Sequence, residues 1–363
     1  MLSRHHILAL SYVPGMTSEV LRNLIESGRS FQHITNAYDD ELLGYRLKGK
    51  TVRSIRNMVP YLEEAERQLR RAEDFGADVA TIADEAYPAN LREIWFAPVV
   101  LYVWGQLPQG IDQAIAIVGT RTASTYGRIT AEKYAEVFAR AGVTVVSGLA
   151  RGIDTWAHKA TIGAGGRTIA VVASGLDQIQ PSLAAQLAEK ICQNGAVITE
   201  YPFGVKALRP YFPQRNRIIS GIAAGTLVVE SDLKGGALIT ARFALDQNRE
   251  VFAVPGSINS SSSKGTNTLI RTDRARLTQT PEDILDALGF HVPCHESEGT
   301  TSSPLDLTAF EQMVYEHLKS EPIHVDDLCE KAGLSSSHTL VTLLSLEFKG
   351  LARQMAGKMF LRG

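Results

Sequence analysis

Arg121 stands in a turn, Gly119-Thr120-Arg121, that closes the apolar run from Ile115 to Val118, and a helix-like segment opens some eight residues further on at Ile129. A strand that feeds a glycine turn and then a helix aims backbone N–H groups, and the positive end of the helix dipole, at whatever sits above the strand. With a guanidinium in the turn, the arrangement is that of an anion cradle. It is not the nicotinamide cradle: the next glycine after Gly119 is Gly127, so the G-x-G-x-x-G spacing is absent.

Similar loops recur: Ser147-Gly148-Leu149-Ala150-Arg151, Ser174-Gly175-Leu176-Asp177, Tyr201-Pro202-Phe203-Gly204, Lys234-Gly235-Gly236 and Pro255-Gly256-Ser257. Glycine lets a backbone approach a ligand closely, and hydroxyls and cations add donors for phosphate oxygens. A cation and an aromatic three residues apart, Arg209 and Phe212, precede Arg215 and Asn216. Single-stranded nucleic acid calls for this pairing, a charge for the phosphate and a ring for the base. The neighbouring Tyr211 is an alternative ring, and Arg215 and Arg217 read equally well as ion-pair partners on a helix. Asp154 and His158, at i, i+4 spacing, look like an acid–base pair, but we read Asp154 as a helix cap and His158 as a partner of the loop.

The elements that must hold these loops alternate. Apolar runs at 99–103, 115–118, 143–146, 168–172, 196–199, 226–229 and 251–254 are separated by helix-like segments near 129–141, 153–162, 182–194, 214–223 and 237–247. Repeated βα units make an α/β fold, an extended, mostly parallel Rossmann-like sheet with helices on both faces, and ligands in such sheets sit beyond the carboxyl ends of the strands. Residues 1–76 read as a small helical domain of helix-hairpin-helix or SAM-like type, with helical packing favoured over DNA contact for the Val13-Pro14-Gly15 turn. The core runs over 77–289, a linker over 290–306 and a winged-helix-like domain over 307–363, with helices at 308–319, 325–332 and 336–349. His291, Cys294 and His295 lie in the linker without further ligands, so no metal is expected.

Charge follows the same divisions. Residues 115–285 carry 19 Lys/Arg against 13 Asp/Glu, a net +6, between flanks of −3 (residues 1–114) and −5 (286–363). A basic core inside a chain of net charge −2 indicates a polyanionic partner for that core. No run approaches a membrane span, and three scattered cysteines form neither a disulfide framework nor a zinc motif, so a cytoplasmic protein is expected.

In order, Gly-Thr-Arg from Gly119, Ser-Gly-Leu-Ala-Arg-Gly-Ile-Asp from Ser147, Phe-Pro-x-Arg-Asn-Arg from Phe212, Lys-Gly-Gly-Ala-Leu-Ile-Thr from Lys234 and Val-Phe-Ala-Val-Pro-Gly-Ser from Val251 closely resemble the DprA (Smf) family of bacterial DNA-processing proteins. The blocks span about half of the chain. The resemblance implies a single-stranded DNA-binding Rossmann-like core, a homodimer, loading of the recombinase RecA onto incoming DNA in natural transformation, no cofactor and no catalysis. Carried over by position, the DNA pocket involves Arg121, Arg209, Phe212, Arg215 and Asn216, joined by the loop residues Gly119, Thr120, Ser147, Gly148, Arg151, Lys234, Gly235 and Gly236. The dimer or partner surface falls on Leu269 and Ile270, which as neighbours on a helix point about 100° apart and so cannot share one pocket. The chain departs from the family pattern at Gln180, Ala184 and Arg274, which remodels one rim of the site.

Two other classes share this kind of sheet. A phosphoribohydrolase-like nucleotide enzyme needs a carboxylate after its glycine pair, and Gly235-Gly236 is followed by Ala237-Leu238-Ile239-Thr240. A nucleotide-sensing regulator would use the same cradle for a small ligand. Near the carboxy-terminal end, the segment Ser335–Lys349 is apolar with one lysine near its end, inside the stretch 286–363 of net charge −5, which favours protein contact or a regulatory role over reading of duplex DNA.

Overall fold

The computed structural model describes residues 2–108, 111–290, 307–319, 322–348, 351–355 and 357–362. His291, Cys294 and His295, where no metal is expected, and the linker from residue 291 on lie outside the described residues. The chain divides into two compact units, Met1–Pro293 and Cys294–Gly363.

The first unit opens with helices α1 (Arg4–Ser11), α2 (Ser18–Glu26), α3 (Phe31–Asn36), α4 (Asp39–Gly44), α5 (Gly49–Arg56) and α6 (Val59–Phe75). Ser3, Thr17 and Ser30 cap the first three through their hydroxyls, and α6 stops at Gly76, which takes the left-handed conformation at φ 78°. The Val13-Pro14-Gly15 turn is closed internally: Gly15 has φ 85°, and Thr51 of α5 donates to the Pro14 carbonyl at 2.9 Å. Ile7, Leu8, Leu24 and Ile55 belong to the same apolar core as Val79, Leu101 and Ile169 of the sheet. The helical segment, expected as a domain of its own, therefore shares its core with the strands.

Those strands are β1 (Ala77–Thr81), β2 (Val100–Gly105), β3 (Ala114–Val118), β4 (Thr144–Ser147), β5 (Thr168–Val171), β6 (Ala196–Thr199), β7 (Gly225–Val228), β8 (Glu250–Ala253) and β9 (Arg276–Leu277), in the order β1-β2-β6-β5-β4-β3-β7-β8-β9. Pairing is parallel from β6 across to β9, and antiparallel only where β1 and β2 extend the edge. The connecting helices are α7 (Ala89–Glu93), α8 (Thr125–Arg140), α9 (Ile153–Gly163), α10 (Ser182–Ile191), α11 (Tyr211–Ile222), α12 (Gly236–Asp246), α13 (Lys264–Arg271) and α14 (Pro281–Leu288). Along β3 the faces alternate. Ala114, Ala116 and Val118 join one core, and Ile115 and Ile117 join the other with Phe138 of α8 and Ile153 of α9. Each fully enclosed side chain such as Phe138 contributes about 1.5–3 kcal/mol. After β6 the chain returns to place β7 beside β3, so the strand order reverses between β3 and β7.

Helix α8 begins at Thr125, four residues before the expected start, because Ser124 caps it by accepting from the Gly127 N–H at 3.0 Å. The second unit comprises α15 (Ala309–His317), β10 (Ile323–His324), α16 (Val325–Ala332), α17 (Ser336–Phe348), β11 (Ala352–Met355) and β12 (Met359–Arg362), with strand order β10-β12-β11 around Val314, Leu328, Leu343 and Phe360. Leu340, Val341 and Leu344 of α17 are exposed. Among the described residues no helix is long and apolar enough to cross a membrane.

Candidate functional site

In a sheet of this topology the crevice beyond β3 and β7 is the usual ligand position. Here a carboxylate of the chain itself fills it. Glu230, 2% exposed at the end of β7, accepts from the Ser124 N–H at 3.0 Å, the Ser124 hydroxyl at 2.6 Å and the Ser262 hydroxyl at 3.1 Å, and its carbonyl takes the Thr120 N–H at 2.8 Å. A Cβ on Gly127 would come within 2.1 Å of the same carboxylate. At the start of α8, expected to face a ligand, the Ser124 and Gly127 amides are thus satisfied from within.

The open space lies on the other side of β3, over the carboxyl ends of β3 to β6. It is a cavity of about 1180 Å³. Arg121, Arg151, Lys159, Lys190, Lys206 and Arg215 line it, and no aspartate or glutamate does. Among the described residues none of these six cations forms an ion pair. Arg121, exposed at the rim, has its guanidinium 5.4 Å from the centre of the Phe212 ring, within cation–π range.

Beneath the rim the loop after β4 is held by buried charge. Asp154 accepts from the N–H groups of Gly148 at 3.1 Å and Ala150 at 3.4 Å. Burial raises its carboxyl above the ordinary range, against the pull of the Arg215 charge. Arg215 itself is 4% exposed, and burial pushes its guanidinium down to about 10, which leaves it charged at neutral pH. A Cβ on Gly148 would meet the Arg215 guanidinium at 1.6 Å, so this glycine is there for close approach. His158 is fully buried, its Nδ1 lies 2.7 Å from the Thr168 hydroxyl, and burial together with the Arg215 charge lowers it to about 3.

The cavity brings together Arg121, Gly148, Arg151, Phe212 and Arg215 of the residues expected at the site. Three others underpin it. Gly119 gives room to Ile153, whose Cγ1 would be 2.4 Å from a Cβ there; Thr120 ties the turn to Glu230; and Ser147, fully buried, donates to the Ile117 carbonyl at 2.6 Å. Arg209, Asn216, Lys234, Gly235 and Gly236 do not line the cavity. The Lys234-Gly235-Gly236 loop folds back on the Asp232 carbonyl beyond β7, on the far side of the Glu230 plug.

Four expectations need correction. Arg215 is a buried charge facing Asp154 and not an exposed phosphate contact, because the loop after β4 closes over it. Asp154 bonds that loop and not the start of α9, where Gly152 is the cap and no side chain serves. His158 bonds β5 through Thr168, not the loop. Leu269 is 9% exposed in the main core, since the Asn267 side chain, bonded both ways to Gly256, turns α13 onto β8, so Ile270, half-buried, is the member of that pair nearer solvent. Tyr211 stacks on Tyr201 at 4.3 Å and Arg217 pairs with Glu200, which leaves Phe212 as the ring at the cavity.

The sequence reading missed Lys159, Lys190 and Lys206. Lys206 lies two residues past the loop singled out at Gly204, and the other two sit on helices, where a lone lysine looks like any solvated face. The departures Gln180 and Ala184 line the cavity, whereas Arg274 does not. Among the described residues no cluster of three His, Cys, Asp or Glu could hold a metal.

Residues 78–289 match the family model for DNA recombination-mediator protein A, more than half of the chain, and residues 298–358 match the DprA winged helix domain. The chain belongs to the DprA (Smf) family. Protein Smf of Escherichia coli is 37% identical over 310 residues, 84% of this chain and 80% of that protein, and Protein Smf of Synechocystis is 31% identical over 98% of both. The X-ray structure of DprA from Streptococcus pneumoniae superposes with a TM-score of 0.67 at 30% identity, covering 80% of this chain and 99% of that one. DprA from Helicobacter pylori, whose structure concerns a single-stranded DNA binding mode, matches with a TM-score of 0.52 at 26% identity over 58% of this chain and 95% of that one. The expected architecture, a mostly parallel sheet with flanking helices followed by a winged helix, is the architecture of this DprA-family chain.

Proposed function

We propose that this protein binds single-stranded DNA without sequence preference in the cavity beyond β3 to β6, protects it, and delivers it to the recombinase RecA during natural transformation. The observation that carries this reading is the set of five exposed cations without an ion pair, Arg121, Arg151, Lys159, Lys190 and Lys206, in a cavity whose lining has no carboxylate, with Phe212 beside Arg121. Like charges crowded without partners cost stability, and a polyanion relieves that cost. Phosphates meet Arg121, Arg151 and Lys206, and bases reach the Phe212 ring, whose stacking is worth about 1–3 kcal/mol per base. Arg209, exposed at the end of the same loop, extends the basic edge. Its relative in Helicobacter pylori, described by single-stranded DNA binding, supports the choice of ligand. We read the role as one of binding, and the carboxylate that a phosphoribohydrolase-like reaction would need is not in the lining. A homodimer puts the strand and the recombinase on one particle, with Ile270 on the partner surface.

Titration with fluorescent oligo-dT at several salt concentrations tests the reading. Single strands bind more tightly than duplex, and Arg121→Ala weakens binding and flattens the log–log salt dependence by about 0.7. Wild-type affinity in Arg121→Ala, or a mononucleotide bound as tightly as the oligomer, overturns it.

A further inference from the structure

The cavity continues past the loops. Its lining runs along α9 from Thr155 to Gly163 and along α10 from Leu183 to Lys190. Eight residues of helix span about 12 Å. On α9 the lining residues Trp156, Lys159 and Ile162 recur every three positions, and on α10 Leu183, Leu187 and Lys190 follow at i, i+4, i+7, so each helix turns one face to the groove. The floor is apolar, and a cation stands on each wall. Lys159 holds its ammonium 5.1 Å from the centre of the Trp156 ring, and the Arg128 guanidinium lies 4.1 Å from the same centre. Leu183, 74% exposed, is a large apolar side chain at the rim with nothing over it.

We infer that the groove between α9 and α10 is a second subsite for the bound strand, which takes an unstacked base against Trp156, Ile162 and Leu183 while Lys159 and Lys190 hold the flanking phosphates. The inference rests on the single-stranded DNA reading above. Charge selects the occupant, because a groove with two lysines in no ion pair and no carboxylate in its lining repels basic partners and attracts an anion, and apolar walls between the cations suit a nucleobase. The whole space, about 1180 Å³, exceeds the 300–1,000 Å³ of an ordinary small-molecule pocket, as a site for more than one nucleotide requires. Gln180 and Ala184, both in the lining, leave the passage from the loops to the groove free of rings.

The test is an oligo-dT series of increasing length against the full chain and the variant Leu183→Glu/Lys190→Glu, whose two positions are exposed, so the fold tolerates both changes. Wild-type affinity rises about tenfold, or 1.4 kcal/mol, at the length that first reaches the groove, and the variant lacks that rise. Photo-crosslinking with an oligomer carrying 5-iododeoxyuridine labels the peptide that contains Trp156. The full length-dependent rise in the variant, or crosslinks confined to the loop peptides, overturns the inference. Arg121→Ala separates the two readings. If it binds like wild type the strand reading itself fails, whereas if it weakens binding and the groove variant does not, only the groove is wrong.

Discussion

Most cations of the amino-terminal helices are paired, and the exposed cations of the cavity are not. Arg4, Arg22, Arg29, Arg56, Arg67, Arg70 and Arg71 each meet a carboxylate, most within their own helix or the next, and Arg71 reaches from α6 to Asp177 at 2.8 Å. Among the described residues none of the five exposed cations around the cavity does, and the buried Arg215 faces only Asp154. A paired charge has its field neutralised on the spot and serves as structure, whereas an unpaired one projects its field into the cleft. The contrast teaches where to look for a polyanion site in a chain of nearly balanced charge: arginine counts are uninformative, and the missing carboxylates are the signal.

Three experiments break or sharpen this contrast, beginning with the largest effect. Beneath the cavity the charge of Arg215 helps to keep His158 neutral, so this side of the molecule is the acid-sensitive one. His158 is held down to about 3 in the fold against an ordinary 6.5, so the unfolded chain binds the extra proton between those values. The stability His158 contributes is therefore complete above pH 6.5 and lost as pH falls toward 3, at up to about 1.4 kcal/mol per unit. Asp154, raised in the fold, acts in the opposite sense as pH falls. His158→Gln should flatten the acid limb of a melting-temperature profile between pH 6.5 and 4, and an unaltered limb would show that other groups set it. Arg71→Ala comes next: it removes the ion pair to Asp177 and the bond to the Phe203 carbonyl, for a loss of about 1–2 kcal/mol in chemical denaturation with DNA affinity unaffected. The smallest is the surface pair Arg70–Glu66, where Arg70→Ala should shift stability by less than about 0.5 kcal/mol. A larger loss there would mean that the helical segment leans on its charges more than its shared core implies.

Much of the fold is legible in the sequence because parallel strands are unbroken apolar runs, and β3 to β8 sit within a residue or two of their expected places. β1 escaped notice: Ala77-Asp78-Val79-Ala80-Thr81 is short, carries a charge and pairs only at the sheet edge. The loops of the site were legible through glycine, hydroxyl and cation together, which led to Arg121, Gly148, Arg151 and Phe212. The Glu230 plug was not, since its contact to Ser124 spans 106 residues and leaves no periodic trace. Nor were Lys159 and Lys190, which gain meaning only when α9 and α10 are laid side by side.

The plug has a kinetic consequence. Backbone amides at a helix start would seize one phosphate in one geometry, as a socket does. With the Ser124 amide bonded to Glu230 and the Gly127 amide to the Ser124 hydroxyl, the strand proposed for the cavity is left to side chains on flexible stems, which can release one phosphate and take the next without rebuilding the site. On the proposed reading such a surface lets the strand creep through it by small steps, and a protein proposed to deliver a strand gains from holding it in motion.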